Sequence, residues 1–368
     1  MSPVKGFSPT RLSLARRRRG MTKKALSDAI GVSVKSITEY EAGRQNPTPQ
    51  TVSALAEVLN FPKAFLAAGD LEEFPVEVAS FRALSTMSSR QRNQATAAGE
   101  LAFQLSDWID AQFGLPGVDI PKLTDLGPSA AADVVRRHWG LGEKSVHNMI
   151  HLLEAHGARV FSLVEECREV DAFSCWRPGT GVPFVFLNTK KTAEHSRMDA
   201  AHELGHLVLH WRHETPRGRE VELEANAFAS AFLMPQASVI ASAPFGATLG
   251  QIDETKSKWG VSSLALIYRM HKLGLLSDWQ YRSLCIAIGK RGRALEVNGI
   301  EREASQVLAK VLGVARAEGI SRNDIARDLM IPVAELDKLM FGLVPTVVAG
   351  SGQPTSSGRD GRPHLRVV

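Results

Sequence analysis

The pentapeptide His202-Glu203-Leu204-Gly205-His206 restricts this chain more than any other stretch. On a helix, imidazoles four residues apart can serve one centre, because 3.6 residues per turn bring positions i and i+4 onto one face. Ala201, Leu204, Leu207 and Val208 recur at helical spacing between Thr192 and His210, so this helix has an apolar face to bury. Glu203 stands one residue round from the histidine face. A zinc hydrolase site needs this combination: neutral imidazole nitrogens for the ion, a position left for water, and an unligated carboxylate to take a proton from that water. Three fixed residues also arise by chance on helix surfaces, and a catalytic zinc requires a third protein ligand.

The run from Glu220 to Pro235 reads as a second helix, which Pro235 helps to end. Glu220, Glu222 and Glu224 compete there for the third ligand position on composition alone. At about 100° per residue, Glu224 points well away from Glu222. Glu222 is followed four residues on by Asn226 and then by Leu233-Met234-Pro235. Together with the H-E-x-G-H pentapeptide, this register resembles the ImmA/IrrE family of metallo-endopeptidases. The resemblance implies a zincin-like domain with His202, His206 and Glu222 as zinc ligands and Glu203 as general base. It also implies that Asn226 orients a ligand histidine.

Gly181 to Asn188 is a short β-branched and aromatic run bounded by turn formers, as a strand should be. In the family such a strand borders the cleft, where an extended substrate adds as a further strand; a purely core strand is equally consistent with the residues. His195, His210 and His213 flank the motif, and His210 reads as a helix-end histidine near solvent. His138, His147, His151 and His156 show no carboxylate in a matched register and read as surface or core histidines.

The first seventy residues hold eleven Lys and Arg against five Asp and Glu, a balance of +6 in a chain whose total is +5. The basic character is therefore local and points to a polyanion. Leu12, Leu14 and Ala15 belong to a first helix. Thr22 caps a second that Gly31 stops, Ser33 caps a third running to about Tyr40, and Thr48-Pro49 opens a fourth. The string from Gly31 to Thr48 resembles the XRE, or lambda-repressor-like, helix-turn-helix family over residues 8 to 66. That resemblance implies a third helix in the major groove of double-stranded operator DNA, with Ser33, Lys35, Ser36 and Thr38 facing bases. Thr22, Lys23, Arg44 and Asn46 would hold phosphates. The run Arg16 to Arg19 is expected to add salt-dependent affinity.

The length, 368 residues with 44% hydrophobic content, calls for two or three domains. Without a long apolar run or a leader-like start, the expectation is a cytoplasmic protein with no membrane partner, and the two resemblances imply a bacterial or phage origin. Cys167, Cys175 and Cys285 lack metal-type spacing and read as thiols.

The expected fold is mainly α with a small β-sheet, an α+β chain. Its parts are a helix-turn-helix domain over 1–69, a linker over 70–88, a metallopeptidase domain over 89–285, a helical region over 286–345 and a disordered tail over 346–368. A long helix from Ser88 to Phe113 should pack on the catalytic domain. Residues 299 to 343 repeat the helix-turn-helix pattern, but Glu335 and Asp337 stand where phosphates would bind, which favours a packing or dimerisation role over a second DNA-reading unit.

The two resemblances together imply zinc-dependent cleavage of a repressor- or antitoxin-like protein by a DNA-bound regulator. The alternative is a DNA-binding transcription factor or antitoxin with a catalytically silent metal domain. Such modules often act as dimers on paired half-sites, which leaves a homodimer open.

Overall fold

The structure, a computed structural model, describes residues 6–75, 87–163, 172–211, 218–244, 246–292 and 296–344, with the backbone of 365–366. His213, Cys167, linker positions 76–86 and the tail from 346 apart from 365–366 lie outside the described residues.

Five helices open the chain: α1 (Pro9–Arg18), α2 (Lys23–Ile30), α3 (Val34–Glu41), α4 (Pro49–Leu59) and α5 (Lys63–Ala67). Ser8, Thr22, Ser33 and Thr48 each accept the backbone N–H three residues on, satisfying donors that a helix start leaves open. Gly31 ends α2 at φ 70°, a left-handed conformation that a side chain would strain. Leu12, Leu26, Ile37, Leu55 and Leu59 are fully enclosed and form the core of this unit.

The helix α6 (Ser89–Gln112) begins with a capping box between Ser88 and Gln91. Gly99 in its middle leaves room for the Phe74 ring, which would stand 2.3 Å from a Cβ there. Phe74 stacks on Phe103 and meets Phe173 and Phe186 edge-on, so α6 is stapled to the sheet beyond it.

Then come α7 (Pro128–His138), α8 (Met149–Ala155) and the strands β1 (Arg159–Ser162), β2 (Ala172–Trp176) and β3 (Pro183–Leu187). The order is β1-β3-β2, with β1 parallel and β2 antiparallel to β3. All five residues of β3 are buried. Of the two readings open for this run, the core strand is the one that fits: both its edges are paired, so an extended substrate cannot add beside it. A two-residue parallel pairing also joins 113–114 to 365–366.

Against the sheet pack α9 (Ala193–Leu209) and, behind it, α10 (Arg219–Leu233). The remaining helices are α11 (Gln236–Ser242), α12 (Leu249–Thr255), α13 (Ser263–Lys272), α14 (Asp278–Arg291), α15 (Gln306–Ala317), α16 (Arg322–Asp328) and α17 (Val333–Met340). Among the described residues no helix is long and apolar enough to cross a membrane.

The last three helices tie the two ends of the chain together. Glu154 of α8 caps α15 by accepting from the backbone N–H groups of Gln306 at 3.0 Å and Val307 at 3.2 Å, and from the Ser305 hydroxyl. Burial outweighs these bonds and pushes the Glu154 carboxyl up to about 6. At the other side, Glu335 of α17 lies between Arg18 and Arg19, with both contacts at 2.5 Å.

The arginine run is thus taken up in ion pairs, with Arg16 and Arg18 buried and Arg17 and Arg19 half-buried, rather than poised over a duplex. Arg16 pairs with Glu41 and Arg17 with Glu100 of α6, while Arg18 and Arg19 take Glu335. Its expected role in DNA affinity is corrected accordingly. The Glu335 carboxylate that would repel a duplex is the counter-ion that docks the first domain.

Candidate metal centre and nucleic-acid interface

Thr192 caps α9, and the helix runs unbroken through the pentapeptide. Gly205 brings α10 in: a Cβ at that position would stand 3.1 Å from the Phe228 ring and 3.2 Å from the backbone of Ala225. This close approach of the two helices lets Glu222 on α10 reach the imidazoles on α9.

His202 Nε2 and His206 Nε2 face each other at 3.0 Å. The Glu222 carboxylate lies 3.3 Å from the former and 3.6 Å from the latter. A tetrahedral ion bound at about 2.0–2.1 Å keeps its ligand atoms about 3.3 Å apart, so these three groups fit a single divalent cation. Glu203 also offers a carboxylate oxygen within 4.8 Å of both imidazoles. The Glu222 carboxylate faces both rings, whereas Glu203 Oε2 receives the Ser174 hydroxyl of β2 at 2.6 Å.

The outward nitrogens are satisfied as well. His202 Nδ1 lies 3.0 Å from Asn226 Oδ1, and His206 Nδ1 lies 3.1 Å from His210 Nδ1. Burial opposes a charge on His202, but Glu222, Glu203 and Asp199 outweigh it and raise its pKa. His206 is pushed well below the usual histidine range, by burial first and then by its two histidine neighbours, and so holds the neutral form that ligates metals.

In the first domain, Ser33 and Lys35 are exposed and Ser36 and Thr38 half-buried on α3. The Ser33 and Ser36 hydroxyls lie 2.9 Å apart, and Thr38 donates to the Val34 carbonyl. Thr22 caps α2, and Asn46 is exposed. Lys23 stands 3.4 Å from Glu41, and Arg44 is held by Glu39 at 2.6 Å. The structure places all eight residues on or beside the α2–α3 unit and its following loop, with Glu39 as an acid among them.

Residues 12–66 match the helix-turn-helix family, and residues 153–271 match the IrrE N-terminal-like domain of peptidase family M78. The chain carries a helix-turn-helix domain followed by an IrrE N-terminal-like domain. No curated protein matches it. The first domain marks a DNA-binding regulator, and the second is of metallopeptidase type.

Reading the IrrE-like domain from its residues alone misses three groups. Ser174 carries no motif, and its place beside Glu203 depends on the pairing of β2 with β3. His210 and Glu224 meet across α9 and α10 at 2.9 Å, although His210 reads as a helix-end histidine near solvent and Glu224 only as pointing away from Glu222. Asp119 supplies the carboxylate that His138 and His156 lack locally, at 2.5 and 3.0 Å, from a loop far from either in register.

Proposed function

We propose that this chain is a DNA-bound regulator whose IrrE-like domain is a zinc endopeptidase acting on a repressor- or antitoxin-like protein. The observation that carries the reading is the convergence of His202, His206 and Glu222 within 3.0–3.6 Å of one another, each imidazole anchored from behind. A zinc ion held there supplies Lewis acidity, making water a usable nucleophile and a peptide carbonyl a better electrophile.

The chain's own residues do the rest. Glu203, buried and one residue round from the ligands, accepts the proton of the attacking water and returns it to the departing amine. Ser174 donates to one Glu203 oxygen and so aims the other. Asn226 holds His202 in the Nδ1–H tautomer, which leaves Nε2 a lone pair for the ion.

On the DNA side, Ser33, Lys35, Ser36 and Thr38 read bases while Thr22, Lys23, Arg44 and Asn46 fix register on phosphates. Arg44 leaves Glu39 for phosphate on binding. The α1 surface that carries the arginines is used for docking to α6 and α17, so operator binding and proteolysis are compatible in one molecule.

The test is to sequence the new protein N-termini produced in cells expressing the wild type or Glu203→Gln. Cuts made only by the wild type support the endopeptidase. An identical set of termini removes it and leaves a regulator with a silent metal domain.

A further inference from the structure

We infer that Glu224 and His210 form a positioning relay that selects which nitrogen of His206 is offered to the ion. This rests on the metal centre proposed above and adds two residues of the chain to it.

A carboxylate only accepts hydrogen bonds, so Glu224 Oε2, 2.9 Å from His210 Nε2, requires the proton on that nitrogen. In the neutral ring His210 Nδ1 is then a bare acceptor. At 3.1 Å it faces His206 Nδ1, which must carry its own proton to donate. The remaining nitrogen, His206 Nε2, is left with a lone pair, and it is the atom that points at His202 and Glu222. One acid on α10 therefore sets the tautomer of two imidazoles on α9. The opposite protonation of His206 would aim an N–H into the ligand cluster. His202 obtains the same result in one step from Asn226.

Burial makes the arrangement matter. The side chains of His206 and His210 are 6% and 7% exposed, which leaves little room for water to substitute for a lost link, whereas Glu224 is 49% exposed. A bond that merely stapled α9 to α10 would affect stability and not ion affinity. Partners of this kind, when removed from metal-ligating histidines, cost about 10–100-fold in affinity.

Zinc affinity of the full chain is measured by chelator competition for the wild type, His210→Leu, His210→Gln and Glu224→Ala. Nitrogen-15 spectra of the imidazoles report the His206 tautomer. His210→Leu should bind zinc at least tenfold more weakly. His210→Gln should stay close to the wild type, because an amide accepts at one atom and donates at the other. Glu224→Ala should weaken binding in the same direction as His210→Leu, and as a half-exposed site it serves even if His210→Leu fails to fold. Zinc affinities of His210→Leu and Glu224→Ala within twofold of a zinc-binding wild type overturn the relay alone. A wild type that takes up no zinc overturns the metal centre first, and the relay with it.

Discussion

Replacing Glu335 with Gln keeps the side-chain shape and removes the charge that Arg18 and Arg19 share. Burial alone would raise this carboxyl. The Arg18 charge, hydrogen bonds from both arginines and Lys338 overcome that and hold it at about 2 instead of the ordinary 4.5. At about 1.4 kcal/mol per tenfold change in proton affinity, this corresponds to roughly 3 kcal/mol of stabilisation. The contribution is present above pH 4.5 and lost as pH falls through 2. Solvent screening scarcely discounts it, since the Glu335 side chain is 1% exposed and that of Arg18 is 3% exposed. Removing one partner of a buried pair costs about 3–5 kcal/mol by mutation, which agrees.

Hydrogen exchange on the full chain at pH 7 reads the effect where it acts. In Glu335→Gln, α17 and the end of α1 should exchange about 100-fold faster, with β3 unchanged, because roughly 3 kcal/mol raises the undocked population by that factor. Combining Glu335→Leu with Arg18→Met should restore most of the protection, since an apolar pair replaces a buried ionic one at little cost. Arg19 tolerates the loss, as it also donates to the Leu59 and Asn60 carbonyls and lies over the Phe61 ring. Protection in Glu335→Gln within threefold of the wild type at both helices refutes this reasoning.

For operator binding, Arg44→Ala should flatten the plot of log affinity against log salt by about 0.9, one phosphate's worth, whereas Arg17→Ala should leave the slope unchanged. Equal slopes for wild type and Arg44→Ala, in a salt titration of binding, contradict this assignment. Glu154 gives the opposite pH signature to Glu335. With its carboxyl raised to about 6, it favours the fold below pH 4.5, and about 2 kcal/mol of that is lost as pH rises through 6. Urea midpoints should therefore fall more steeply between pH 4.5 and 7 in the wild type than in Glu154→Gln. Gly205→Val should separate α9 from α10 and lower zinc affinity at least tenfold, measured by chelator competition; unchanged affinity would show that the helix approach is not what seats Glu222.

The parts legible in the sequence are those fixed locally. Caps at Thr22, Ser33 and Thr48 and the left-handed Gly31 define the helix-turn-helix within a few residues, and the His202–His206 pairing needs only helical periodicity. What escapes is set by long-range packing. Arg18 finds its counter-ion 317 positions away, so four arginines in a row read as a DNA-facing cluster when three of them contact α6 and α17 and Arg16 pairs with Glu41 inside the first domain. The 181–188 run shows continuous burial but not its central place, because an uninterrupted apolar strand says nothing of its neighbours. His210 reads as a helix-end histidine near solvent until α10 brings Glu224 against it.

The metal centre is tested most directly by counting zinc per chain in protein purified from zinc-replete medium. Wild type and Glu203→Gln should each carry one equivalent, while His206→Ala should carry none and Glu222→Ala far less than one. A zinc-free wild type, or full occupancy in His206→Ala, would contradict the assignment of these three side chains to one ion.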